Sequence, residues 1–318
     1  MTTKLIFRGS ILLYVVLGLL ACQTAPTPIS EPPIEEMKIA HLSAGDTTAF
    51  EEIRRQFVQN NPGYDMHYIG NARKLPSVGD NAVVFIQEGG GTATLNKGDT
   101  SKFSVGDIIL LAEGEGFTTD SLFSALTFTV PEAPPSDIPT FVRPDWDLNI
   151  TDVPGGCATE TNAYRRILLT WLGKVGPYNF HALNAHRVRI MDSFSHYHPK
   201  EGGFDEFYLV QMAMPAAKIL TSEKVSTIEN PTSVDKEDVD NLIQSTPLKV
   251  GDLVYLPRGT MHRGVGGVLA QVITVPGFIP GSEVGVDHHL RKINELLSLE
   301  GESALPFNES ASTEAVIK

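Results

Sequence analysis

Hydrophobic residues along this chain come mostly in short runs closed off by Gly, Asp or Pro: residues 83–86, 108–111, 207–210, 253–256 and 268–275. Runs of that length, rich in β-branched and aromatic residues, form strands more readily than helices. Two stretches follow a helical period instead. Phe50, Ile53 and Phe57 fall at i, i+3, i+7, one apolar stripe of a short helix, and Thr48 followed by Glu51 reads as a capping box at its start. Tyr164, Ile167 and Trp171 repeat the spacing and predict a second such helix. A further helix is expected over residues 288–299, with a polar, disordered tail beyond Gly301. At the other end, Lys4 and Arg8 precede an apolar run at 11–20, about half the ~20 residues a spanning helix needs, so residues 1–21 read as a signal peptide.

The pattern repeats. Phe50, Ile53 and Phe57 align with Tyr164, Ile167 and Trp171, and Tyr64, His67, Ile69 and Arg73 with Tyr178, His181, Leu183 and Arg187. Asp80, Val84, Phe85 and Leu95 then align with Asp205, Leu209, Val210 and Leu220. Gly106-Asp107-Ile108 aligns with Gly251-Asp252-Leu253, and Thr129-Val130-Pro131 with Thr274-Val275-Pro276. Matches that keep their order across two long segments imply an internal duplication. The expected fold is all-β: two tandem jelly-roll barrels packed together, with short accessory helices. The boundaries expected are a tether at 22–45, the first barrel at 46–137, a connector at 138–160, the second barrel at 161–290, and a helix end and tail at 291–318.

Composition narrows the setting. The 318 residues are 42% hydrophobic and carry a formal net charge of -13, which argues against binding nucleic acid or anionic lipid through a basic patch. With only two cysteines, Cys22 and Cys157, no disulfide framework is expected, and Cys157 reads as an inert small residue. Leu19-Leu20-Ala21-Cys22 resembles the lipobox of bacterial lipoproteins. That resemblance implies acylation of Cys22 and a lipid-anchored protein of the bacterial cell envelope, facing the periplasm or the exterior. Pro26, Pro28, Pro32 and Pro33 would make the segment after it an extended tether. Ordinary secretion is the alternative.

Chemistry concentrates in the second copy. His196-Tyr197-His198 is followed by Glu206, and then by a G-x5-P-x-G-x2-H segment from Gly251 to His262. Two histidines at i and i+2 on a strand share a face. Together these stretches resemble the two motifs of the cupin family, with a gap between His198 and Glu206 longer than the short form of the first motif. The residues at 200–203 would be a loop widened at the site mouth. The resemblance covers nearly all of the mature chain and implies a bicupin, with one divalent transition metal (Fe, Mn, Zn, Ni or Cu) held by His196, His198, Glu206 and His262. In the first copy Phe117 stands in place of His262 and Asn81 in place of Glu206, so that barrel is expected to hold no metal. His67 with His181, and Arg73 with Arg187, occur in both copies and read as structural.

Tyr208 shares a strand face with Glu206, either to reach a metal-bound substrate or to pack the barrel. Arg258 and Arg263 flank His262 and are candidates to grip a substrate carboxylate, unless they are solvated turn residues. His288 and His289 belong to the expected surface helix. Enzymes with this resemblance include dioxygenases, oxalate decarboxylases and oxidases, sugar and uronate isomerases and dimethylsulfoniopropionate lyases. The expectation is a metal-dependent enzyme acting on a small oxygenated molecule, an organic acid or sugar derivative, with Glu206 or Tyr208 moving a proton. Dioxygenase-like chemistry comes first, isomerase or lyase chemistry second, and a non-catalytic, metal-dependent binding lipoprotein is the reading of a different class. Expected partners are that small molecule and the membrane through Cys22, with homodimerisation left open.

Overall fold

The computed structural model describes residues 35–153, 155, 164–171, 173, 175–311 and 317, all of which belong to one compact unit. The expected signal peptide, Cys22 and Cys157 lie outside the described residues. No helix among the described residues is long and apolar enough to cross a membrane.

The architecture is all-β, with every strand pair antiparallel. The first half contributes β1 (Lys38–His41), β2 (Asp65–Leu75), β3 (Ala82–Leu95), β4 (Thr100–Ser104), β5 (Ile108–Leu111), β6 (Phe117–Thr129) and β7 (Phe141–Val142). The second contributes β8 (Arg165–Leu169), β9 (Asn184–Asp192), β10 (His196–Tyr197), β11 (Asp205–Ala213), β12 (Lys218–Ser222), β13 (Gln244–Pro247), β14 (Asp252–Leu256), β15 (Met261–Val275) and β16 (Val284–Gly285). Among the described residues three α-helices accompany them: α1 (Thr47–Asn60), α2 (Val225–Ile228) and α3 (Asp287–Leu297). One sheet runs β2-β6-β3-β5-β7 with β4 on β3. The other runs β1-β14-β11-β15-β10-β16, with β9 and β12 also on β15. The two sheets curl into two tandem jelly-roll barrels.

Each sheet buries both faces, which is why the sequence shows continuous apolar runs in place of clean alternation. The inner face of the first barrel is dry, filled by Ala82, Val84, Ile109, Phe117 and Phe123. Its outer face, with Phe85 and Phe128, meets Phe207, Leu209 and Tyr255 of the second sheet, and α1 seals the seam with Phe50, Ile53 and Phe57. Phe128 is the hub: its ring lies 5.6 Å from Phe57, 5.8 Å from Phe85 and 5.3 Å from Phe207, each edge to face.

Several expectations are corrected. Helix α1 is capped by Asp46, whose carboxylate accepts from the Ala49 N–H at 3.1 Å, so Thr48 lies inside the first turn and is no cap. The helix expected around Tyr164, Ile167 and Trp171 is strand β8, because Ile167 and Leu169 face a cavity while Leu168 packs into the seam between barrels. Within the expected tether, residues 38–41 are a strand paired to β14, and within the expected connector, residues 141–142 are a strand paired to β5. The tail is docked: Leu305 is buried, held at both backbone groups by the Asn294 side chain, and Asn308 ties to Asp287 and Ser193.

Pairing also resets the correspondence between copies. Thr129 of β6 pairs with Ala82, whereas Thr274 of β15 pairs with Glu206. Ala82, not Asn81, therefore stands in the place of Glu206; a slip of one residue moves a side chain to the opposite face. The same two threonines pair with Asp65 and Asn184. That makes His67 the counterpart of His186, and Tyr68 the counterpart of Arg187, displacing His181 and Arg73 from those roles.

Candidate metal centre

Local chain geometry brings the three histidines together. His196 on β10 is directly paired to His262 on β15. The Asp287 carboxylate at the start of α3 anchors the approach to β10 by accepting from the Ser195 N–H at 2.7 Å. After β14 the chain turns at Pro257-Arg258-Gly259-Thr260, closed by Thr260 N–H to Pro257 O at 3.1 Å, and the Gly259 N–H donates to His198 O at 2.7 Å. Gly259 has φ +89°, a conformation that side-chain-bearing residues rarely adopt, so the glycine of the motif is required by this turn.

The rings are oriented for coordination. His196 Nδ1 lies 3.1 Å from Phe194 O and His262 Nδ1 lies 3.2 Å from Thr260 O, each bonded to a carbonyl two residues upstream. A carbonyl only accepts, so Nδ1 carries the proton and Nε2 offers its lone pair, as a metal requires. Ligand nitrogens of His196, His198 and His262 lie within 4.8 Å of one another, and all three residues are buried. Burial, reinforced by His262 and His196 alongside, pushes the His198 imidazole well below its ordinary pKa and keeps it neutral. Glu206 joins from β11, with Oε1 3.2 Å from His262 Nε2 and Oε2 3.8 Å from His198 Nε2.

These residues fit a cation. His198 Nε2, His262 Nε2 and Glu206 Oε1 are buried without a hydrogen bond. Each such atom costs about 1–3 kcal/mol if left unsatisfied, and three imidazoles with one carboxylate form a donor set that suits Fe, Mn, Zn, Ni or Cu. In the first barrel Phe117 and Ala82 occupy the corresponding positions, fully buried among apolar residues, with no donor to offer.

The other sequence candidates separate. Tyr208 is on the same face as Glu206 but one step deeper, packed with Val188, Val210, Val254 and Val272, its ring 6.3 Å from that of His262. Arg258 does not face the site. Its guanidinium bonds Asn61 and lies 3.3 Å from Asp205, a fully buried carboxylate on the outer face of β11 that also holds Tyr255 and the Arg258 N–H. Arg263, next to His262 and so on the opposite face, is held by Asp192 at 2.5 Å and by Ser193 O at 3.0 Å. Arg187 bonds Gln211, Asp145 and Tyr164, a structural tie. Both proposed substrate arginines are thus corrected to structural ones: strand parity turns Arg263 away from the metal cluster, and Asn61 and Asp205 draw Arg258 off the turn to the outer face.

A cavity of about 220 Å³ opens beside Glu206, with Asn184, His186, Thr274, Phe278 and Arg165 among its walls. None of these was singled out in the sequence for a role at the site. Thr274 served there only as a marker of the repeat, and the first-copy histidine had been matched to His181.

No family model matches the chain, and no curated protein matches its sequence. Among solved structures it is similar to a variant of Bacillus subtilis oxalate decarboxylase, with TM-score 0.44 and 12% identity over 80% of this chain and 81% of that one. It is similar to a variant of salicylate 1,2-dioxygenase from Pseudoaminobacter salicylatoxidans, with TM-score 0.44 and 12% identity over 89% and 92%. Vicilin from hazelnut, Corylus avellana, gives TM-score 0.42 and 9% identity over 67% and 75%.

Proposed function

We propose that this chain is a metal-dependent enzyme that acts on a small oxygenated molecule, an organic acid or sugar derivative. The observation that carries the reading is the buried convergence of His196, His198, His262 and Glu206 beside a cavity large enough for a small molecule. These four residues would hold one divalent transition metal, which when bound supplies a Lewis acid or an oxygen-activating centre. The chain itself does the rest. Nδ1 bonds to Phe194 O and Thr260 O fix two of the rings, Glu206 is placed to hold or move a proton, and the barrel wall keeps water from the reacting atoms. Dioxygenase-like chemistry is the first choice of reaction, because Ile167, Leu169 and Phe278 give the cavity an apolar wall suited to dioxygen. Isomerase or lyase chemistry would use the same ligands.

The test is Glu206→Gln. It keeps size and leaves a weak oxygen ligand, so folding and part of the metal content are expected to persist while turnover falls about 10²–10⁴-fold. Turnover is read from a small-molecule screen of protein loaded in turn with iron, manganese and zinc. Unaltered turnover in the variant, or a wild type that takes up no metal, would overturn the proposal.

The setting we propose is the bacterial cell envelope, with the mature chain starting at an acylated Cys22. A fatty-acid probe in cells is expected to label the wild type and not Cys22→Ser. An unlabelled wild type released as soluble protein would remove the anchor.

A further inference from the structure

Among the described residues, three buried polar atoms that coordination does not use lie beside the Glu206 carboxylate around one space. Asn184 on β9 and Glu206 on β11 both pair directly with Thr274 on β15. Their side chains stand in one row across three adjacent strands, neighbours about 5 Å apart at Cβ. His186, two residues along β9, lies one level deeper on the same face, in a row with Val272 and Tyr208. Asn184 Oδ1, His186 Nε2, Thr274 Oγ1 and Glu206 Oε1 are all shielded from solvent and make no hydrogen bond. All four residues line the same cavity of about 220 Å³.

Interiors seldom tolerate this. More than about nine in ten buried polar groups are paired, so three orphans beside a metal-ligand carboxylate, all around one cavity, mark a space shaped for a polar guest. Deeper in the barrel the wall turns apolar, with Val188, Ile190, Val254 and Val272. The first barrel supplies a contrast: His67, the counterpart of His186, is exposed and has Asp65 of its own strand 3.4 Å away. In the second barrel the Asp65 position is Asn184, and His186 has no such partner.

The atoms define the guest. Asn184 Oδ1 and Glu206 Oε1 only accept, while the Thr274 hydroxyl and a neutral imidazole can accept or donate. Burial first, and then the charge of Arg165, push the His186 imidazole down to about 3, so the ring is neutral. A wall weighted towards acceptors calls for a ligand that donates, and hydroxyl groups donate. Ile167, Leu169 and Phe278 are left to cover its carbon skeleton. The space equals about seven waters at their liquid volume of roughly 30 Å³, which limits the guest to a single ring or a short chain.

We infer that Asn184, His186 and Thr274 form, with Glu206, the substrate-orienting wall of the site, and that this wall selects a small hydroxylated molecule through its hydroxyl groups. The inference rests on the metal-dependent reading above. The experiment uses zinc-loaded full-length protein, with cyclohexane-1,2-diol and its dimethyl ether as probes, and the variants Thr274→Val and His186→Leu. The diol is expected to bind the wild type at least tenfold more tightly than the ether does, and to lose about tenfold in either variant, with metal content unchanged. Because each variant removes an orphaned polar atom, the melting temperature without probe is expected to stay level or rise by about 2–4 °C.

A fall in melting temperature in both variants would show that these groups serve the fold through buried water, and would overturn the inference. Equal affinity for diol and ether, or no binding of either by metal-loaded wild type, would overturn the hydroxyl selection. Each of these results leaves the metal-dependent reading standing. That reading fails if the wild type takes up no metal, or if Glu206→Gln leaves turnover unaltered.

Discussion

Replacing His198 by alanine strips the protein of its metal. The wild type is expected to bind close to one equivalent per chain, since ligand nitrogens of His196, His198 and His262 already lie within 4.8 Å of one another and the corresponding place in the first barrel holds Phe117 and Ala82. Without His198, two imidazoles and Glu206 remain around a hole that the buried ring of Phe204, 3.9 Å from the missing imidazole, cannot close with a donor. Loss of a residue that merely orients a ligand costs about 10–100-fold in metal affinity; loss of a ligand is expected to cost more than a hundredfold. Elemental analysis of wild type and variant, purified side by side after metal loading, reads the result. Full retention would place the metal elsewhere, and two equivalents in the wild type would mean a second site.

The cluster of three histidines was legible in the sequence because coordination chemistry constrains short spacings: two histidines at i and i+2, and a third after a turn that needs glycine at Gly259. What surrounds it was not legible. Strand β3 buries both faces from Ala82 to Ile86, so its apolar run fits either register, and only the pairing of Ala82 with Thr129 decides which residue stands opposite that threonine. Arg258 and Arg263 lie close to His262 along the chain, yet the partners that claim them, Asn61, Asp205 and Asp192, come from distant segments. Asn184 and His186 carry no local mark at all. They reach the site because β9 lies beside β15, a long-range pairing that no periodicity announces. The helix expected at β8 failed for a related reason: of Tyr164, Ile167 and Trp171 only Ile167 lies in the strand, whose run from Ile167 to Leu169 is buried without any helical period.

Phe128→Ala is expected to be the most damaging change away from the metal. The side chain is fully buried in the seam, and its ring meets three others, each from another element: Phe85 of β3, Phe57 of α1 and Phe207 of the second barrel. Truncation removes the transfer energy of an aromatic ring and leaves a cavity that the two β-sheets cannot collapse to fill, at a cost of about 3–5 kcal/mol. For a chain of this size that is roughly 10 °C in melting temperature. Because the ring belongs to both barrels, fluorescence and circular dichroism should report one displaced transition. Leu122→Ala, at a half-exposed position of the same strand, is the control and should stay within about 0.5 kcal/mol of wild type. A Phe128 variant that melts with the wild type, or in which one barrel melts and the other does not, would show that the seam does not couple the two.

Strand β1 lies ahead of the whole first barrel in the chain, yet it pairs from Lys38 to His41 along β14 of the second. It leaves the ribosome roughly 200 residues before its partner, so the edge of the metal-bearing sheet closes only late, by a contact of the slowest-forming kind. The same crossing fixes what the lineage can discard. Deleting the first barrel together with the segment in front of it would also take away the edge strand that covers β14, uncovering a row of backbone donors and acceptors.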